Sequence, residues 1–102
     1  MPFLFTYGTL QDIQVQEYVF GRILKGHPDE LPHFKRFKNA VYNRYPLVKP
    51  SKHSSDTVKG TVYKVTDDEL TLCDVYETTA YKRNIFELTS GIKAWVYVEN
   101  SR

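Results

Sequence analysis

The sequence predicts an α+β domain spanning residues 1–102, in which two well-separated helices stand among several short strands. Three observations predict it. Two segments, at Thr9–Asp12 and Thr66–Glu69, have the S/T-x-x-D/E form that opens a helix, and each leads into apolar residues at helical spacing. Short runs with strand-like alternation lie between and after them. The last two runs flank Ser90-Gly91, a hairpin signal. With 41% hydrophobic and 25% charged residues, the chain has an ordinary globular composition, with room for one core and one pocket. Its 15% aromatic share suits a small core, since each large ring buries roughly 150–250 Å².

Residues 2–7 (PFLFTY) read as a buried strand that Gly8 ends. Thr9-Leu10-Gln11-Asp12 then opens a helix, whose apolar residues at 15, 19, 20, 23 and 24 carry it to Leu24. Gly26, Pro28 and Pro32 punctuate the chain after it. The stretch 33–49 is irregular, with short strands expected around Phe34–Phe37 and Ala40–Tyr42 and a loop at Tyr45-Pro46. Residues 50–57 (PSKHSSDT) are polar and read as a turn. Val58, Gly60 and Val62 alternate with Lys59, Thr61 and Tyr63, the period of a strand. The capping box at Thr66-Asp67-Asp68-Glu69 opens a helix through about Tyr76, and strands follow at Arg83–Leu88 and Ile92–Glu99. The expected order is β-α-β-β-β-α-β-β.

Composition excludes several function classes. A net charge of +2 is too weak for a nucleic-acid surface, and in the densest basic cluster Lys35 faces opposite to Arg36 and Lys38. The single Cys73 rules out an internal disulfide framework and any C-x-x-C metal site, and mid-helix it reads as a buried thiol. His27, His33 and His53 sit in turn-like contexts without metal-ligand spacing. No apolar run approaches the ~20 residues of a membrane span. The start MPFLFTYGTL reads as a first strand rather than a leader, so the expected location is the cytoplasm. There is no Walker loop, no G-x-S-x-G elbow and no G-x-G-x-x-G fingerprint.

Two features retain chemical interest. At Tyr7-Gly8-Thr9-Leu10 a strand ends in Gly and turns into a helix, which offers N–H groups of a first helical turn to a carboxylate or amide oxygen. An ordinary β-α turn that needs Gly for its backbone angle explains the same residues. The second feature is Glu77. Leu70, Cys73, Asp74 and Glu77 follow i, i+3, i+4, i+7 spacing, which points Glu77 inward as its helix ends. Desolvation and the negative end of the helix dipole both raise the pKa of such a carboxyl, as a proton shuttle near neutral pH requires. A helix-end Glu that reaches back to solvent is the plainer alternative. Arg83 has two acidic candidates, and pairing with Glu77 rather than Asp74 would count against the shuttle.

These features coincide with a family resemblance. Phe5-Thr6-Tyr7-Gly8-Thr9-Leu10, Leu72-Cys73-Asp74-Val75-Tyr76-Glu77 with Tyr81 and Arg83, and Gly91-Ile92-Lys93-Ala94-Trp95-Val96-Tyr97-Val98 resemble three segments typical of γ-glutamylcyclotransferase-like (AIG2-like) proteins. Tyr45-Pro46-Leu47-Val48 with Pro50 and Lys59-Gly60-Thr61-Val62-Tyr63 are similar to two more, and the match runs in order from about residue 3 to residue 98. The chain departs from the pattern after Leu10, where Gln11-Asp12-Ile13-Gln14-Val15 is closer to the plant AIG2-like and related bacterial branch. It departs again at Thr78, where Gly is frequent.

The resemblance implies a mixed β-sheet curled into a partial barrel with flanking helices and a pocket at one end. It implies an enzyme, free of cofactor and metal, that cyclises a small γ-glutamyl amine or peptide to 5-oxoproline and releases the amine. Mapped by motif, Glu77 is the general acid/base, the Tyr7, Gly8, Thr9 and Leu10 turn binds the glutamyl group, and Tyr45 and Tyr81 line the pocket. The implied partner is the small γ-glutamyl substrate, with neither nucleic acid nor membrane, and family analogy favours a homodimer. Two rivals keep the same pocket: a non-catalytic binding module, and an acyl-transfer or hydrolase variant.

Overall fold

The computed structural model describes residues 1–41 and 45–100. Strand β1 (Phe3–Thr6) leads through a 3-10 turn (Thr9–Gln11) into helix α1 (Ile13–Phe20). Strands β2 (Gly26–Pro32), β3 (Phe34–Val41), β4 (Tyr45–Pro50) and β5 (Thr57–Lys64) follow. Helix α2 (Asp67–Glu77) then precedes β6 (Tyr81–Glu87) and β7 (Lys93–Glu99). The main sheet has the order β2-β5-β1-β7-β6, and β3 and β4 form a separate two-stranded sheet. Strand β1 is antiparallel to β5 and parallel to β7, which makes the main sheet mixed.

The period-2 alternation of the central strands builds two cores on opposite faces. Phe5, Val62 and Val96 face the β3–β4 hairpin, where they meet Phe34 and Val48. Their chain neighbours Leu4, Tyr63 and Tyr97 face the helices, where they meet Leu70 and Cys73 of α2 and Val15 and Val19 of α1. The ends of the main sheet are tied by the β6–β7 turn. The Thr89 N–H donates to the Glu30 carbonyl over 2.9 Å, and the Ser90 hydroxyl donates to the buried Asp29 carboxylate over 2.5 Å. Since β2 and β6 are the two outer strands, these bonds require the curl of a partial barrel.

The second helix begins as the sequence predicts. Thr66 Oγ1 accepts from the Glu69 N–H, and the Glu69 carboxylate accepts from the Thr66 N–H. The same carboxylate takes a two-point contact from Arg22, at 2.7 and 2.8 Å, which joins α2 to the end of α1. Cys73 is fully buried, and burial, with Glu77 and Asp74 nearby, pushes its thiol up to about 12.

Other elements depart from expectation. Helix α1 stops at Phe20 because Gly21 takes the left-handed conformation (φ 71°), and Leu24 is buried without being helical. The start is also displaced: Thr9 opens only the 3-10 turn, and Asp12 caps α1 by accepting from the Gln14 N–H. Residues 26–32 form a strand despite Pro28 and Pro32, with His27 inside it, paired with β5 along their whole length. An outer strand tolerates proline because its free edge needs no N–H donor. Phe34–Val41 is one strand with an irregularity after Phe37, where Asn39 has φ 54°. Tyr42, the expected end of a second short strand, lies outside the described residues. Tyr45 and Pro46 begin β4 instead of forming a loop; with β2 and β4 added and β3 in place of two short strands, the order gains one strand.

Gly60 is where the sheet allows no side chain. A Cβ there would stand 2.2 Å from the Thr6 carbonyl oxygen and 2.7 Å from the Phe5 ring. Backbone cannot yield as a side-chain end can, so Gly60→Ala should cost at least about 3 kcal/mol, the upper range for overpacking. Urea unfolding measures this, and a midpoint equal to the parent's would show that β1 and β5 separate more readily than their register implies.

Candidate functional site

A pocket of about 400 Å³ opens where β1 ends, between the start of β4, the end of α2 and the start of β6. All seven residues singled out in the sequence line it: Tyr7, Gly8, Thr9, Leu10, Tyr45, Glu77 and Tyr81. Tyr76, Thr78, Tyr97 and Pro46, which the sequence reading did not select, line it too.

The turn after β1 is held tightly. The Tyr7 hydroxyl is buried and donates to the Tyr97 carbonyl over 2.7 Å, and burial, with Tyr81 and Glu77 nearby, raises its pKa far above the usual tyrosine value. The 3-10 turn is closed by bonds from the Gln11 N–H to the Gly8 carbonyl and from the Asp12 N–H to the Thr9 carbonyl. The N–H groups of Thr9 and Leu10 therefore precede the turn's own bonding, as in any first helical turn. Thr9 Oγ1 and the Tyr76 hydroxyl are 2.9 Å apart, joining this turn to α2.

The turn is not the first turn of the α-helix that the sequence predicts. The α-helix proper starts at Ile13 with its own cap, so the pocket faces a single 3-10 turn rather than the end of α1. Gly8 does not take the left-handed turn angle that favours glycine, its φ being −135°. A Cβ there would lie 3.1 Å from the Pro46 side chain, so the proline ring would have to give by a few tenths of an ångström. β4 approaches the turn closely at this point.

Glu77 is the last residue of α2, and its side chain lines the pocket while remaining partly exposed. Burial raises its carboxyl to about 7. The competing base is engaged elsewhere: Arg83 makes a two-point contact with Asp74, at 2.8 and 3.1 Å, and lies 4.4 Å over the Trp95 ring. Asp74 also accepts from the Tyr97 hydroxyl over 2.7 Å. Of the two carboxylates near Arg83, Asp74 thus holds the cation and Glu77 keeps its raised pKa. The Tyr81 hydroxyl donates to the Pro46 carbonyl over 2.7 Å, which pins β4 to β6 across the pocket.

Tyr97 had a visible signal, because the alternation of the last strand places it on the same face as Trp95, towards the helices. Tyr76 and Pro46 lie inside the family-like segments, but their places in the pocket depend on how α2 and β4 meet the turn. Among the described residues no group of three His, Cys, Asp or Glu is arranged to hold a metal ion, and no helix is long and apolar enough to cross a membrane.

A family model described as gamma-glutamyl cyclotransferase, AIG2-like, matches residues 4–102. The chain is 38% identical over 85 residues to AIG2-like protein D of Arabidopsis thaliana, covering 81% of this chain and 53% of that protein. It therefore spans about half the length of that curated relative. A solution structure from Arabidopsis thaliana superimposes with a TM-score of 0.84 at 28% identity, covering 97% of this chain and 62% of that one. A structure named gamma-glutamyl cyclotransferase gives a TM-score of 0.78 at 16% identity, over 96% of this chain and 66% of the other, a likeness of fold. With its pocket at the end of β1 and a family match over almost its whole length, the chain belongs to the gamma-glutamyl cyclotransferase, AIG2-like family.

Proposed function

We propose that this protein cyclises a small γ-glutamyl amine or peptide to 5-oxoproline, with Glu77 as the general acid/base. The observation that carries the reading is the Glu77 carboxyl, raised to about 7 by burial, in the pocket that the Tyr7–Leu10 turn also lines. The substrate's α-amine attacks its own γ-carbonyl, forming the ring C–N bond as the C–N bond to the leaving amine breaks. Glu77 takes the proton from the attacking amine and returns it to the leaving nitrogen, so it ends each turnover as it began. The N–H groups of Thr9 and Leu10 would hold the glutamyl carboxylate or the oxygen of the reacting carbonyl. Tyr7, Tyr45 and Tyr81 would confine the chain in its folded shape. The attack is intramolecular, so positioning and one well-tuned acid/base suffice without a cofactor or metal.

A group with pKa near 7 suits both halves of this transfer, because it is neither a spent acid nor a negligible base at neutral pH. An ordinary Glu at about 4.3 would accept the amine proton poorly. The Asp74–Arg83 pair supports the reading by keeping a guanidinium away from Glu77.

Assay of 5-oxoproline release from γ-glutamyl amines, γ-glutamyl dipeptides and glutathione tests the reaction. The parent should release it, and Glu77→Gln should lower kcat by about 10²–10⁴-fold, the range for losing a general acid/base. Ligand binding without release in the parent would favour a binding module. Release of free glutamate instead of the ring would favour a hydrolase.

The pH dependence follows from the same shift. Glu77 must be ionised to accept the proton, so kcat/KM should fall as the pH drops through about 7. A limb near 4.3, or none, would remove Glu77 from the rate law. Stability should move the other way. The folded state raises this carboxyl, so its contribution is fully present below the unfolded pKa and is lost as pH rises through about 7. Glu77→Gln should then melt above the parent at about pH 8, with the gap closing towards pH 4, as thermal scans across the range would show.

A further inference from the structure

We propose that Thr78 is the specificity wall of this pocket: its side chain divides the chamber beside Glu77 from a second groove and so limits the size of the leaving amine. The proposal rests on the cyclotransferase reading and deepens it.

Thr78 caps α2 with φ 64° and ψ −177°, a region that is essentially open to glycine alone. A β-branched residue is disfavoured there by the contact of its Cβ with the backbone. The local bonds do not explain its presence. The Thr78 N–H donates to the Asp74 carbonyl over 3.2 Å and its carbonyl accepts from the Tyr81 N–H over 3.3 Å, and glycine would keep both. Its hydroxyl accepts from the Ala80 N–H only at 3.4 Å, beyond the usual range.

The position of the side chain does offer an explanation. Thr78 lines the 400 Å³ chamber and also a shallower groove of about 740 Å³, whose other walls include Asp74, Lys82, Trp95 and Asn100. Tyr81 and Tyr97 border both spaces as well, but each is fixed by its hydroxyl, to the Pro46 carbonyl and the Asp74 carboxylate. Thr78 is the small element of that partition and directly follows Glu77. A leaving nitrogen within hydrogen-bond reach of Glu77 sits in the chamber, and a substituent extending towards the groove meets the Thr78 side chain. A short amine fits before the wall, whereas a long or branched one requires it to be removed.

The test compares Thr78→Gly, Thr78→Val and the parent on γ-glutamyl methylamide, butylamide and benzylamide. Affinities are read by calorimetry in the Glu77→Gln background and kcat/KM in the active background. Thr78→Gly should shift both measures towards the benzylamide by at least about 10-fold relative to the methylamide, the scale on which pockets discriminate apolar bulk. Thr78→Val, which keeps the bulk without the hydroxyl, should retain the parent's order of preference. Thr78→Gly should also melt above Thr78→Ala by about 4–8 °C, because alanine leaves the strain in place. An unchanged order in Thr78→Gly, or a parent order lost in Thr78→Val, overturns the wall. Size-dependent binding with no 5-oxoproline release keeps the wall and removes the reaction, whereas failure of all three ligands to bind any variant overturns both.

Discussion

Strand β1 occupies the middle of a curled five-stranded sheet, and both of its faces must be buried against different partners. Phe5 points to the β3–β4 hairpin and Leu4 to the helices. At the period of two this permits one register, since a one-residue slip would exchange the two cores. The same constraint forces Gly60 under Phe5 and fixes where the strand can end. It ends at Tyr7-Gly8, over which β4 brings Pro46 and α2 brings Tyr76 and Glu77. The pocket is thus the space left where a central strand stops while its neighbours continue.

Within that space the chemistry depends on which of two nearby carboxylates is neutralised. Asp74 and Glu77 are one helical turn apart on α2, and Arg83 reaches Asp74. The Tyr97 hydroxyl adds a second donor to Asp74, while the first cause acting on Glu77 is burial. One helix therefore presents a stabilised anion on its outer side and a carboxyl titrating near neutrality on its pocket side. Pairs of titratable groups whose surroundings drive their pKa values apart are a recurrent way of assigning acid and base roles.

Much of this was legible in the residues, and the failures share a cause. The capping box at Thr66, the strand period at 58–63 and the burial of Leu70 and Cys73 are local signals, and the structure carries all three. Strand β2 was obscured because Pro28 and Pro32 break the pattern of any interior strand, and only its place at the sheet edge makes them harmless. The end of α1 was misread because Leu24 is apolar at helical spacing, yet its burial comes from a turn. The buried Gln16 holds that turn, accepting from the Leu24 N–H and donating to the Leu10 carbonyl. A polar residue that serves the backbone at two distant points has no signature in periodicity. In the site, Glu77 and the Tyr7–Leu10 turn were legible from local spacing and motif, Tyr45 and Tyr81 from motif alone, whereas the places of Tyr76, Pro46 and Thr78 come from tertiary approach.

The helix that carries Glu77 is anchored at both ends by ion pairs that do not involve Glu77. At its start the capping box and the Arg22–Glu69 contact fix α2 against the end of α1, and Arg22 holds the Glu69 carboxyl below the usual range despite its burial. Near its end Asp74 ties it to β6 through Arg83 and to β7 through Tyr97. A carboxyl raised by desolvation is an unfavourable group to keep in place, because the helix would relax if it could turn that side chain to water. With α2 held at Glu69 and at Asp74, rotation about its axis would break one contact or the other. The residue that follows then adopts a backbone angle suited to glycine, and the chain turns at once into β6. Burial of Glu77 and strain at Thr78 are adjacent costs, offset by pairs several residues away. That separation lets the pocket residues be set by chemistry rather than by what is locally most stable.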